Sequence, residues 1–239
     1  MTSVARWVEV HRLAVAGREA AIARDAGNRV GRVWLPTSRF TDVARLAALT
    51  LTLGGDAGAF YHLGWAMHAT GDRGAALAAF DQALSLYRAA GERGNEAATL
   101  NNIGLVHNSL GEGQRALEYY GQALPIMRGV GDRAGEAATL NNIGLVHDHL
   151  GERQRALEYY GQALPIRREV GDRAGEAVTR YNMAMIHRAE GDLGQAVAEL
   201  EQVVELDRQV NHPDLQSDTE MLQQVRQELA DSNRTRGPR

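Results

Sequence analysis

Eight histidines are the residues most able to do chemistry in this chain of 239 residues, and three of them recur at one spacing: His107, His147 and His187 stand 40 residues apart. Imidazole can serve as an acid, a base or a metal ligand near neutral pH. A metal needs its nitrogen ligands at about 2 Å. Equivalent atoms on successive packed helices lie roughly 10 Å apart, so one ion cannot bridge this series. His147 and His149, in the run His-Asp-His, point to different faces of a helix. Cysteine is absent, which excludes thiolate nucleophiles, disulfides and cysteine-ligated zinc. Neither a G-x-x-x-x-G-K-[ST] phosphate loop nor a G-x-S-x-G elbow occurs. Glu118 and Glu158 read as a solvated face. The expectation is no enzyme, no cofactor and no metal; His62 and His68 are the weak remaining candidates for catalysis.

Asparagines recur too: Asn101 and Asn102 are followed 40 residues on by Asn141 and Asn142, and Asn182 takes the next place. A carboxamide both donates and accepts, so it can pair with both groups of a peptide backbone. Asparagine can equally satisfy the polar groups of neighbouring helices.

The elements that position these residues follow from a repeat. Residues 92–131 and 132–171 are identical at 32 of 40 positions, and weaker copies precede and follow them. The register is held by Gly71, Gly111, Gly151 and Gly191, and by Gly91, Gly131 and Gly171, with Asn211 in the next place. Glycine readily takes the left-handed conformation that ends helices, and Asp132 and Asp172 then stand where an N-cap is wanted. Ala116, Leu117, Tyr120, Ala123 and Leu124 recur at three and four residues, the period of one helical face. No stretch alternates with period two. Each unit therefore reads as two helices, with Gly104, Ala116 and Ala123 allowing close approach and Leu100, Ile103 and Tyr120 filling the gaps. A lone helix pair cannot bury both faces, whereas stacked pairs can.

The unit resembles a tetratricopeptide repeat. That family's pattern of a large residue, Leu-Gly, Tyr, Ala, Phe/Tyr and Ala is met by Leu100, Ile103-Gly104, His107, Ala116, Tyr120 and Ala123. The next unit supplies Leu140, Ile143-Gly144, His147, Ala156, Tyr160 and Ala163. The earlier one supplies Phe60, Leu63-Gly64, Met67, Ala76, Phe80 and Ala83; the last drifts to Arg180, Met183-Ala184, His187, Ala196, Leu200 and Val203. The resemblance covers residues 52–210. It departs from the usual pattern in its period of 40 rather than 34, six residues that add about 9 Å of helix. Long repeats of this kind are similar to those of kinesin light chains, of spindle-orienting scaffolds and of the C-terminal arrays of bacterial signal-transduction ATPases. Pro125 and Pro165 fall inside second helices, where proline clashes with the carbonyl four residues earlier; a kink is expected there. The histidine series replaces a tyrosine that packs between helices in the family.

The resemblance implies an all-α, right-handed superhelical solenoid of antiparallel helix pairs. It also implies a concave groove lined by the first helix of each unit. Asn102, Asn142 and Asn182 would form a ladder in that groove, joined by Asn101, Asn141, Tyr61, His62, Trp65, Tyr181 and Arg188. The expected division is a degenerate helix pair over 1–51, four repeats (52–91, 92–131, 132–171, 172–210), a capping helix over 211–230 and a disordered tail over 231–239. At the N-terminus, 4–27 reads as one helix, 28–37 as a loop and the segment from Ser38, a candidate N-cap, as a second helix. Formal net charge is −4, which argues against general nucleic-acid or anionic-membrane binding. Charges in the first 25 residues break any signal-peptide core, and a cytoplasmic location is expected. Every basic residue is arginine, with abundant alanine and glycine, as in a high-GC bacterial genome. The implied partner is a protein or peptide segment; self-association through residues 1–50 is the alternative.

Overall fold

The computed structural model describes residues 3–236, with side chains to residue 234, and among them every regular element is an α-helix. The chain divides into two compact units, Met1–Ile126 and Met127–Arg239. The first holds α1 (Ser3–Ala16), α2 (Ala20–Trp34), α3 (Phe40–Leu51), α4 (Ala57–Ala69), α5 (Arg73–Ala90) and α6 (Arg93–Ser109). Helix α7 (Gly113–Val130) begins in the first unit and ends in the second, which continues with α8 (Arg133–His149), α9 (Arg153–Glu169), α10 (Arg173–Glu190), α11 (Leu193–Val210) and α12 (Leu215–Arg236). From α1 to α6 in the first unit and from α8 to α12 in the second, each helix packs on the next, as α4 on α5, α8 on α9 and α10 on α11, and first helices of successive pairs also touch, α4 with α6 and α8 with α10. The architecture is an all-α repeat solenoid. No described helix is long and apolar enough to cross a membrane.

The helix ends follow the 40-residue register. Gly131, Gly151 and Gly171 have φ of 74°, 78° and 71°, and Asn211, next in the series, has φ 51°, a conformation asparagine tolerates better than other side chains. Asp132 and Asp172 accept the backbone N–H of Gly135 and Gly175, each at 2.9 Å, removing one orphan donor at each helix start. Glu152 stands at the N-cap of α9 without such a bond. Its carboxylate is turned instead to His147 Nδ1, at 2.6 Å, and His147 stacks on Tyr159 with centroids 5.3 Å apart. His107, Glu112 and Tyr119 repeat the arrangement. These two buried histidines are packing residues.

A second repeated tie was not visible in the local pattern. Glu96, Glu136 and Glu176 are buried near the start of first helices. Each is held by an arginine from the preceding second helix: Arg88 at 3.0 Å, Arg128 at 2.7 Å and Arg168 at 2.8 Å. Pairing of this kind is what permits a carboxylate in an interior.

Tyr120 and Tyr160 are fully buried, and their hydroxyls have no hydrogen-bond partner among the described residues. Phe80 holds the same place one unit earlier and is equally buried. A buried unpaired hydroxyl costs about 1–3 kcal/mol. Tyr160→Phe is therefore expected to leave stability unchanged or raise it, measured as the midpoint of urea unfolding by circular dichroism. A loss above about 1 kcal/mol would show that the hydroxyl is satisfied.

Four expectations are corrected. Residues 1–51 contain three helices rather than one pair. The break falls at Gly17–Glu19, where Arg18 has φ 58°, not at 28–37. That segment is the second half of α2, because Ala23, Ala26, Val30 and Trp34 form a single buried stripe. Ser38 itself has φ 57°, and the N-cap of α3 is Arg39, whose guanidinium lies 4.1 Å over the Trp34 ring. At the other end α12 runs to Arg236, six residues past the expected limit, with Leu222 and Val225 buried; residues 237–239 of the expected tail lie outside the described residues. Pro125 and Pro165 lie inside α7 and α9. The glycines four residues earlier, Gly121 and Gly161, face open space.

Candidate functional site

In the first unit, α4 and α6 carry the candidate residues. Asn102 is buried, and its Nδ2 donates to the Tyr61 hydroxyl at 2.9 Å, across 41 residues of sequence. Asn101 Nδ2 donates to Asn102 Oδ1 at 3.5 Å. Both groups of the Asn102 amide are thus engaged inside the protein. Tyr61 sits edge-on to Phe80, with centroids 5.9 Å apart, and burial pushes its hydroxyl pKa up. Trp65 is half-buried and its ring meets His68 edge-on at 6.3 Å. His62 is buried, with its ring close above Gly31, and desolvation lowers its pKa to about 4. Tyr61 and His62 line a cleft of about 380 Å³ together with Asn28, Arg32, Asp56 and Tyr87.

In the second unit, Asn141 is buried and accepts from Thr179 Oγ1 at 2.9 Å. Asn142 and Asn182 are half-buried. Asn182 lines a cleft of about 360 Å³ with Tyr181, Ala177 and Val178 of α10, Asp207 of α11 and Asp218 of α12. Arg188 is engaged by α12: its Nε donates to Glu228 Oε2 at 2.9 Å and its Nη2 to Glu228 Oε1 at 2.5 Å.

The ten candidates therefore divide. Asn102, Asn141 and His62 are buried, and the first two bond neighbouring helices. Arg188 is ion-paired. Tyr61, Tyr181 and Asn182 line clefts, while Trp65, Asn101 and Asn142 are partly exposed on first helices. The two clefts occupy the same place in the register, since Tyr61, His62 and Tyr87 correspond to Tyr181, Asn182 and Asp207 at a separation of 120 residues. Asp207 and Asp218 were not among the candidates. The signal was in the register: positions 87, 127, 167 and 207 read Tyr, Met, Arg, Asp, and only the last introduces a carboxylate. Among the described residues, no three histidine, aspartate or glutamate side chains are placed to share a metal ion.

The comparisons agree with this geometry. No curated protein matches the sequence. BtubC (BKLC) from P. vanneervenii is 19% identical with a TM-score of 0.71, the match covering 88% of this chain and 93% of that one. The apo form of the quorum sensor NprR from B. thuringiensis is 17% identical with a TM-score of 0.76, covering 95% of this chain and 66% of that one. A Rap protein complexed with Competence and Sporulation Factor is 16% identical with a TM-score of 0.62, covering 87% and 65%. These likenesses describe the fold. Family profiles described as tetratricopeptide repeat match residues 57–89, 95–169 and 157–209, more than half of the chain and all of α5 to α11 but their edges. With helix pairs, register and packing residues in agreement, the chain belongs to the tetratricopeptide repeat family.

Proposed function

We propose that this protein is a non-catalytic scaffold or sensor module of the bacterial cytoplasm that binds a protein or peptide segment on the faces carried by its first helices. The observation that carries the reading is the pair of clefts at one register position, each beside a tyrosine of a first helix, Tyr61 or Tyr181. Clefts of roughly this size in which polar groups converge beside an aromatic ring are places where ligands bind, and tyrosine is enriched where binding energy concentrates. Structures of similar fold support it: one is a quorum sensor, another a Rap protein complexed with Competence and Sporulation Factor. The proposed contacts are Tyr61 and Trp65 of α4 and Tyr181 and Asn182 of α10, since Asn102 and Asn141 are occupied internally.

Affinity capture from a bacterial lysate tests the reading, with Tyr181→Ala/Asn182→Ala compared with Glu118→Ala/Glu158→Ala, two exposed glutamates of second helices. Partners retained by wild type and the glutamate variant, and reduced at least tenfold by the α10 variant, are expected. Equal recovery by all three would remove the first helices from the binding surface.

Self-association is the second reading, favoured by Leu13, Ile22, Val33 and Leu49, all large and exposed on the first three helices. Light scattering that stays monomeric at high concentration would exclude it.

A further inference from the structure

The cleft of the second unit has a buried carboxylate that, among the described residues, no arginine pairs. Asp207, in the last turn of α11, is 1% exposed, and its Oδ2 has no hydrogen-bond partner among the described residues. Its Oδ1 lies 3.9 Å from His212 Nδ1. That nitrogen accepts the backbone N–H of Asp214 at 3.3 Å. Asp218, from α12, adds a second carboxyl to the same wall, and Asp214 a third. Tyr181, Ala177 and Val178 of α10 line the same cleft. A buried carboxylate with no guanidinium partner is a costly arrangement, and this one lines the cleft.

The protein's own repeat shows which group fits. One register step earlier, Arg167 takes the place of Asp207 and Asp172 that of His212. Arg167 is 8% exposed, lies directly over Gly175, and its Nη1 donates to Asp172 Oδ2 at 2.5 Å. In that repeat a guanidinium fills the position from within. In the last repeat the position holds acid and the volume is open.

We propose that this cleft binds the cationic group of a peptide, best an arginine guanidinium, through Asp207 and Asp218, with the Tyr181 ring against its face. The proposal rests on the peptide-binding reading above and names the chemistry of one contact. A planar guanidinium can donate to two carboxylates at once and stacks on aromatic rings. Metal ions are the poorer fit, since the acids and His212 do not converge as ligands.

A pH dependence follows. Burial first, then a hydrogen bond to the Asp207 carboxylate and the charges of Asp207 and Asp214, push the Asp218 pKa up to about 7, with His212 opposing. Tyr181 faces the pair from α10, and Arg188 further along α10 is neutralised by Glu228. The proton held by the pair competes with an incoming cation, so affinity rises with pH through this range.

The test is an NMR titration of the full chain with pentapeptides Ac-Ala-Ala-X-Ala-Ala-NH2, where X is arginine, lysine or the neutral isostere citrulline. A fourth peptide with citrulline and a free N-terminus asks whether a terminal ammonium substitutes. Arginine is expected to bind at least roughly tenfold tighter than citrulline at pH 8. The preference should fall to threefold or less at pH 5.5, and in Asp207→Asn and Asp218→Asn chains with unchanged circular dichroism. Either variant suffices if the other misfolds, and both relieve like charge. Equal binding of arginine and citrulline peptides would overturn the cation site and leave the peptide-binding reading standing. A preference that survives both substitutions would overturn it as well. Binding by none of the four would overturn it and count against the broader reading.

Discussion

Gly144→Ala should lower stability by about 1–2 kcal/mol, although alanine is the better helix former. A Cβ at Gly144 would lie 2.6 Å from Cε1 and 2.8 Å from Cδ1 of Tyr160, a fully buried ring with no room to retreat. Overpacking of this kind costs about 1–3 kcal/mol, against a helix-propensity gain of up to about 1 kcal/mol. Gly161→Ala isolates that gain, because its Cβ would meet nothing within 4 Å; stability should rise by up to about 1 kcal/mol. The chain also contains its own rescue. The facing residues 16 apart are Gly64 and Phe80, Gly104 and Tyr120, Gly144 and Tyr160, but Ala184 and Leu200 in the last repeat. Where the second-helix side chain loses its ring, the first helix gains a methyl. Gly144→Ala/Tyr160→Leu should therefore be more stable than the sum of its single variants, by about 1 kcal/mol or more of coupling. Additive midpoints in urea would mean that the glycine is not there to admit the ring.

The repeat explains how far the fold could be read before any coordinates. A pattern written four times averages out local noise, so the turn at Asn211 was legible from its place in the glycine series and Asp132 from its place before a helix. The N-terminal helices have no second copy. There Arg18 takes a left-handed conformation without a glycine at that position, and polar Asn28 and Arg29 stand between the buried Gly27 and Val30 of α2, so the run reads as a loop. Asn102 was hidden for another reason. Asn102 has the spacing of an exposed residue, yet its amide is consumed by Tyr61, 41 residues away; no period within one helix reports a bond between helices. Asp207 is the reverse case. Alone it is one more acid near a helix end, and only its alignment with Tyr87, Met127 and Arg167 marks it as a carboxylate where the other repeats bury bulk.

Acid should destabilise the first unit specifically through His62. Its pKa is lowered from 6.5 to about 4, chiefly by burial and secondarily by Arg32, against the opposing pull of Asp56. The unfolded chain therefore binds a proton between pH 6.5 and about 4 that the folded chain refuses. Stability from this group is complete above pH 6.5 and is lost as pH falls towards 4, by about 2–3 kcal/mol at pH 4.5, at 1.36 kcal/mol per pH unit. His11 and His68, also lowered by burial, push in the same direction. The signal is local, because all three tryptophans, Trp7, Trp34 and Trp65, lie in the first unit. Urea unfolding followed by tryptophan emission at pH 7 and pH 4.5 should show a large fall in wild type and a smaller one in His62→Gln, which cannot titrate. The ring also sits where a Cβ on Gly31 would come within 2.6 Å of it, so its imidazolium could be hydrated only by parting α2 from α4. Parallel losses in the two chains would mean that His62 reaches water when protonated, and that the contact of α4 with α2 opens without global unfolding.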